Sequence, residues 1–221
     1  MKILTTLLIL LCFASKLSAQ LGQDPEAKKI LDRVSEKTKS YKTIQANFEL
    51  DIDNRQIKKK TKSTGLIKIK GDKYYMESMG TKVYFDGKTM WNYIVDDKEV
   101  TITTPDTSEE DFVENPAKIF TFYNHDFKFV LVGESKFDIG WTYEIDLFPK
   151  DLKQPYSRFK LFIRKDNNDI YMISAVGKNG ITYTAYLKNL KYGEDIPDSQ
   201  FTFDPSKHKK VEVEDMRFNN K

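Results

Sequence analysis

The residues that could do chemistry are few and scattered. His125 and His208 are the only imidazoles in the 221 residues. Neither has a cysteine or a second histidine at ligand spacing, whereas a catalytic metal takes two or three such groups together. Glu109, Glu110 and Asp111 are adjacent, an arrangement that solvates carboxylates rather than pairing them for acid–base work. Asp166-Asn167-Asn168-Asp169 has the donor types of a calcium loop, but Tyr171 stands where that loop needs glycine. It reads instead as a hairpin turn. There is no nucleophile elbow and no phosphate-cradling glycine loop. We therefore expect no catalytic residues, no metal and no cofactor. One charge run remains, Lys58-Lys59-Lys60-Thr61-Lys62. It is either a solvated hairpin end that guards a sheet edge or a docking patch for an acidic partner or lipid headgroups.

What the chain has in quantity is bulky apolar surface: 15 Phe, 12 Tyr, 6 Met and 2 Trp. The stretch Lys82 to Tyr93 shows how it is arranged. Two alternating apolar runs meet at Asp86-Gly87, a dipeptide that suits a tight hairpin because both residues tolerate positive φ. Val83 and Phe85 share one face of the first arm, and Met90 or Trp91 continues it on the second. A lone hairpin is not stable in water, so something must cover this face.

The elements around it follow from punctuation and period. Lys2, the apolar run Ile3 to Phe13 and the ending Leu17-Ser18-Ala19 form a signal-peptide pattern. The run is shorter than the roughly 20 residues a bilayer span needs. Cleavage after Ala19 would leave residues 20–221 as a single domain and remove Cys12, the only cysteine. The remaining chain could then make no disulfide, which suits a bacterial periplasm. Losing Lys2 and Lys16 also brings 36 basic residues almost level with 33 acidic ones, which argues against a nucleic-acid partner.

Asp24, Pro25 and Glu26 can start a helix, along which Ala27, Ile30, Leu31, Val34, Thr38 and Tyr41 recur at helical spacing. From Gln45 onward the chain reads as short strands divided by turn residues. The last of them are Ile181 to Tyr192 and Gln200 to Phe203. Asp106 to His125 interrupts the pattern as two short helices, the second opening at Pro116 and carrying Ile119, Phe120 and Phe122. The expected fold is mainly β with helices (α+β): a single antiparallel sheet curled into an incomplete β-barrel covered by a helical lid. A curved sheet leaves a concave side that its own side chains or a ligand must fill. Burying a methylene stabilises by about 0.8 kcal/mol, so a 16-carbon chain gains on the order of 10 kcal/mol gross.

Particular motifs make the pattern specific. Asp86-Gly87-Lys88-Thr89-Met90-Trp91-Asn92-Tyr93 resembles a hairpin of the LolA-type outer-membrane lipoprotein carrier family. Ile44-Gln45-Ala46-Asn47-Phe48 is similar to its helix-to-strand junction. Gly65 to Lys70 is similar to its second strand, and Asn115-Pro116 to its lid helix. Phe201-Thr202-Phe203-Asp204-Pro205 and Val211-Glu212-Val213 are similar to its closing strands. The resemblance implies an open barrel lidded by helices, a periplasmic location and no catalysis. Its cavity would shield lipoprotein acyl chains between an inner-membrane ABC transporter and an outer-membrane acceptor. Carried over by position, Ile67, Ile69, Tyr75, Met79, Val83 and Phe85 would face that cavity with Phe48 and Met90. Leu31 and Val34 of the first helix and Phe112, Ile119, Phe120 and Phe122 of the lid would complete it. Lys58, Lys59, Lys60 and Lys62 would dock partners of a monomeric carrier. Two positions depart from the family: Gly71-Asp72 replaces an Arg-Pro whose arginine helps hold the lid, leaving Lys70 as the nearest cation, and Glu77 falls where the family is apolar. The rival function on the same fold is a lipid- or lipoprotein-binding sensor. A lipid hydrolase would need a nucleophile beside a base, and neither is recognisable.

Overall fold

The computed structural model describes residues 24–105 and 126–217. The first element is a helix, α1, Pro25–Lys39. Asp24 caps it, accepting from the amides of Glu26 and Ala27 at 2.9 and 3.3 Å. Eleven strands then follow in sequence among the described residues: β1 Thr43–Asn54, β2 Lys59–Lys70, β3 Lys73–Ser78, β4 Thr81–Phe85, β5 Met90–Ile94, β6 Glu99–Thr103, β7 Phe127–Phe137, β8 Gly140–Pro149, β9 Tyr156–Arg164, β10 Ile170–Gly177 and β11 Ile181–Tyr192. A last strand, β12, is Glu212–Asp215.

All twelve strands join one sheet in the order β12-β6-β5-β4-β3-β2-β1-β11-β10-β9-β8-β7. The first eleven pair antiparallel, and β12 runs parallel to β6. The sheet is curled and unclosed: β7 lies at one edge and β12 covers the other. The register puts the turns 55–58, 150–155 and 178–180 at one end, here called lower; the turns 79–80 and 95–98 point the same way but stop level with Gly65, partway up β2. The turns 71–72, 86–89, 138–139 and 165–169 lie at the upper end. β6 thus finishes at the upper end beside one edge, and β7 begins at the lower end of the other. Residues 106–125, including the expected lid, lie outside the described residues, as do the expected signal peptide and Cys12.

Several local expectations change. Asp86-Gly87 does not form a two-residue turn. Phe85 pairs with Met90, and Asp86 to Thr89 make a four-residue loop. The Asp86 carboxylate accepts from the amides of Lys88 and Thr89 at 2.9 and 2.8 Å, so only Gly87 needs positive φ, 98°. The span expected as the strand Gln200 to Phe203 begins as a 3₁₀ turn, Asp198–Phe201. Pro197 lacks an amide donor, and Gln200 closes the turn onto its carbonyl at 3.0 Å. Lys59, Lys60 and Lys62 open β2 at the end of the β1–β2 hairpin, on interior strands and not at a sheet edge, where Lys60 faces Asp53 and Lys62 faces Asp51 across the ladder. Only Lys58 is in the turn, with φ 51°.

Alternation separates the two faces. One face and helix α1 form a single core holding Leu31, Val34, Ile44, Phe48, Ile145, Leu161 and others. On the opposite face the chain after β11 wraps across β2, β3 and β4. There Ile196 and Phe201 bury Tyr75, and Phe203 packs with Tyr93 and Val100. The core face, covered by the helix, is the inner one.

Candidate functional site

The inner wall is built in rows across the ladder. Ile44, Ile69, Tyr74, Phe85 and Met90 stand opposite one another in turn, and Ala46, Ile67, Met76 and Val83 form the next row. The following row holds Phe48 and Gly65. A Cβ on Gly65 would collide with the Phe48 ring and the Glu77 carbonyl, so glycine here is the space the ring occupies. The Tyr74 hydroxyl reaches Met90 Sδ at 3.4 Å.

Helix α1 covers part of this wall and is held at both ends by polar contacts. At its start Asp24 serves two elements: Oδ1 caps the helix, and Oδ2 accepts from the amide of Leu131 on β7 at 3.0 Å. The backbone amide of Asp24 also donates to the Phe129 carbonyl at 3.3 Å. Burial raises the Asp24 pKa, but the amides of Leu131, Glu26 and Ala27 outweigh it and hold the carboxyl below its ordinary range. At the far end Lys37 pairs with Asp169 at 2.5 Å and donates to the Asn167 carbonyl at 2.9 Å. Arg33 donates to Asn168 at 3.2 Å. Tyr192 donates its hydroxyl to Asp169; burial, then that carboxylate, pushes the phenol pKa up. The Asp166–Asp169 stretch is a hairpin turn that serves as the helix's docking point.

Of the expected wall residues, Leu31, Val34, Phe48, Ile67, Ile69 and Phe85 are buried in one cluster, and Val83 and Met90 are half-buried against it. Two others lie elsewhere. Tyr75 is on the outer face, opposite Lys68 and Tyr84, and its hydroxyl donates to Glu77 at 2.5 Å. Met79 is in the β3–β4 turn with φ 53° and is exposed. The expected phase of β3 is one residue out, which moves a side chain to the other face. Glu77 carries the signal: it shares Tyr75's face, so Tyr74 and Met76 are the inward pair. The half-buried inner residues Met76, Leu131 and Tyr143 also escape a reading of the sequence, since alternation alone does not say where the helix stops covering the wall. Phe112, Ile119, Phe120 and Phe122 lie outside the described residues.

Lys70 faces outward. It donates to the Ile196 carbonyl at 2.8 Å and, with Lys73, pairs with Asp198 at 2.8 and 2.7 Å. These two ammonium groups lower the Asp198 pKa to about 2. Lys70 therefore fastens the C-terminal wrap rather than the inner face. His208 packs against the rings of Phe203 and Tyr93, centroids 4.7 Å from each. Among the described residues no three acidic, His or Cys side chains cluster as metal ligands, and no helix is long and apolar enough to cross a membrane. A groove of about 710 Å³ lies outside the β1–β2–β3 bend, lined by Glu49, Leu66, Glu77, Met79 and Lys188 among others.

The profile of the family described as outer membrane lipoprotein carrier protein LolA matches residues 17–166, more than half of the chain. The chain belongs to the LolA family. An uncharacterized protein of Methanocaldococcus jannaschii is 26% identical over 212 residues, which are 95% of this chain and 59% of that protein. The chain thus spans less than two thirds of that relative's length. Among solved structures, an uncharacterized conserved protein from Thermus thermophilus is similar in fold at 14% identity, with a TM-score of 0.58, covering 86% of this chain and 99% of that one. A LolA superfamily protein from Nitrosomonas europaea aligns at 14% identity and a TM-score of 0.43, over 80% and 97% of the two chains.

Proposed function

We propose that the protein is a periplasmic carrier that shields the acyl chains of lipidated proteins during transfer from the inner to the outer membrane. The observation that carries this reading is half-buried apolar surface on the inner face, Met76, Val83 and Met90 on β3 to β5 and Leu131 and Tyr143 on β7 and β8. These side chains are large, apolar and soft, they belong to a single curved wall, and the helix leaves them partly uncovered. Such a surface suits hydrocarbon, which is recognised by area rather than by directed hydrogen bonds. Membership of the LolA family supports the same reading. The inward Met76 and Met90 add adaptability, because an unbranched thioether repacks around chains of different length. In this reading the chain is made with a signal peptide cleaved after Ala19, and residues 20–221 work as one non-catalytic monomer. They receive cargo from an inner-membrane ABC transporter and pass it to an outer-membrane acceptor. Residues 106–125 supply the remaining cover, through Phe112, Ile119, Phe120 and Phe122.

Native mass spectrometry of gently purified protein tests this directly. We expect added mass that fragments to acyl-bearing species, and its loss in Val83→Glu and Met90→Glu with far-UV circular dichroism unchanged. Protein that stays empty when offered acylated peptide would overturn the carrier reading.

A further inference from the structure

The turns at the lower end do not have the composition of ordinary solvated loops. Large apolar side chains stand out at two of them: Ile57 is 65% exposed and Leu152 82%. Turns distant in sequence meet there. The amide of Arg55 donates to the Gly180 carbonyl at 3.1 Å, and that of Lys178 to the Pro155 carbonyl at 2.8 Å. The Lys178 ammonium also donates to the Leu152 carbonyl. Around the apolar tips are the exposed cations Arg55, Lys58, Lys153 and Lys178, against Asp151. The upper turns show the opposite balance: Asp72, Asp86, Asp138, Asp166 and Asp169 stand against Lys88 and Lys165. The molecule is polarised along its strands.

A single exposed Ile or Leu needs no explanation. Two at neighbouring turn tips of one rim, set among basic residues, do. A rigid protein partner would need a matched pocket for each tip. A bilayer interface is fluid and closes around each one, while lysine stems lie along the apolar boundary and their ammonium groups meet phosphate. We propose that the lower end docks the protein on an anionic membrane surface, with Ile57 and Leu152 entering the interface and the surrounding cations meeting lipid headgroups. A basic residue near an anionic leaflet strengthens binding roughly fivefold. The docking is independent of the carrier reading: cargo-free protein should show it, so each can fail without the other.

The test is co-sedimentation with vesicles, using protein whose mass shows that the N-terminal apolar run has been removed, since that run could itself insert. We expect binding to phosphatidylcholine vesicles that contain phosphatidylglycerol, weak binding to phosphatidylcholine alone, and release by salt. Ile57→Ser/Leu152→Ser and Lys58→Glu/Lys153→Glu should each weaken binding by about tenfold or more, with circular dichroism unchanged because all four side chains are exposed. Trp141→Ser, an exposed apolar position at the upper end, should bind like the parent. The proposal is overturned by absent binding, by equal binding to neutral vesicles, or by a Trp141→Ser loss as large as that of the lower-end variants.

Discussion

At the scale of single residues, Asp24 links two elements with one carboxylate. One oxygen caps helix α1 and the other accepts from the edge strand β7. Replacing it by alanine orphans the helix amides and the Leu131 amide together, so Asp24→Ala should cost about 1–2 kcal/mol at neutral pH in urea unfolding. The folded pKa lies below the unfolded value of roughly 3.9. Its contribution is therefore complete above that value and disappears as pH falls through the folded pKa. The gap between parent and variant should close in acid; a gap that stays constant would show that the ionised carboxylate is not what stabilises. That Asp24 starts a helix is readable from Asp-Pro-Glu. Its second hydrogen bond joins residues 107 positions apart, and no local pattern encodes it.

At the scale of elements, the C-terminal end of helix α1 is tied to the sheet through one turn. Asp169 accepts from Lys37, Asn167 and Tyr192. Asp169→Ala would leave Lys37 and Tyr192 half-buried without that acceptor, at a cost of about 1–3 kcal/mol. Hydrogen exchange should then quicken in α1 before it does in the strands around Ile145 and Leu161. Uniform acceleration would mean that the turn supports the whole sheet. The amphipathic period of α1 identifies Ala27, Ile30, Leu31 and Val34 as its buried face, and they are buried. β3 was harder, because Lys73-Tyr74-Tyr75-Met76-Glu77 has an aromatic in either phase. Packing decided it: Phe201 covers Tyr75 on the outside, and the core takes Tyr74.

At the scale of the whole molecule, the sheet has two edges and treats them differently. β12 covers β6, and Asp24 meets β7. A chain ending at Asp195 would lose Ile196, Phe201, Phe203 and β12 together. It would uncover Tyr75, Tyr93 and Val100 and free the edge of β6. Such an edge beside an apolar patch pairs with other copies. Light scattering should find the truncated protein associated at concentrations where the full chain is not; a monodisperse truncated form would show the wrap to be dispensable.

The antiparallel succession of strands, the inward phase of β1, β2 and β4, and the helix's buried stripe were all legible in the amino acids. Alternation and helical period are written locally, every two or every three to four residues. The folded chain alone decided which phase of β3 turns inward, which oxygen of Asp24 meets β7, and that Lys70 faces the C-terminal wrap. It also decided that turns more than a hundred residues apart gather their lysines and apolar tips at one end. Each of these depends on what an element packs against, and that partner lies far along the chain.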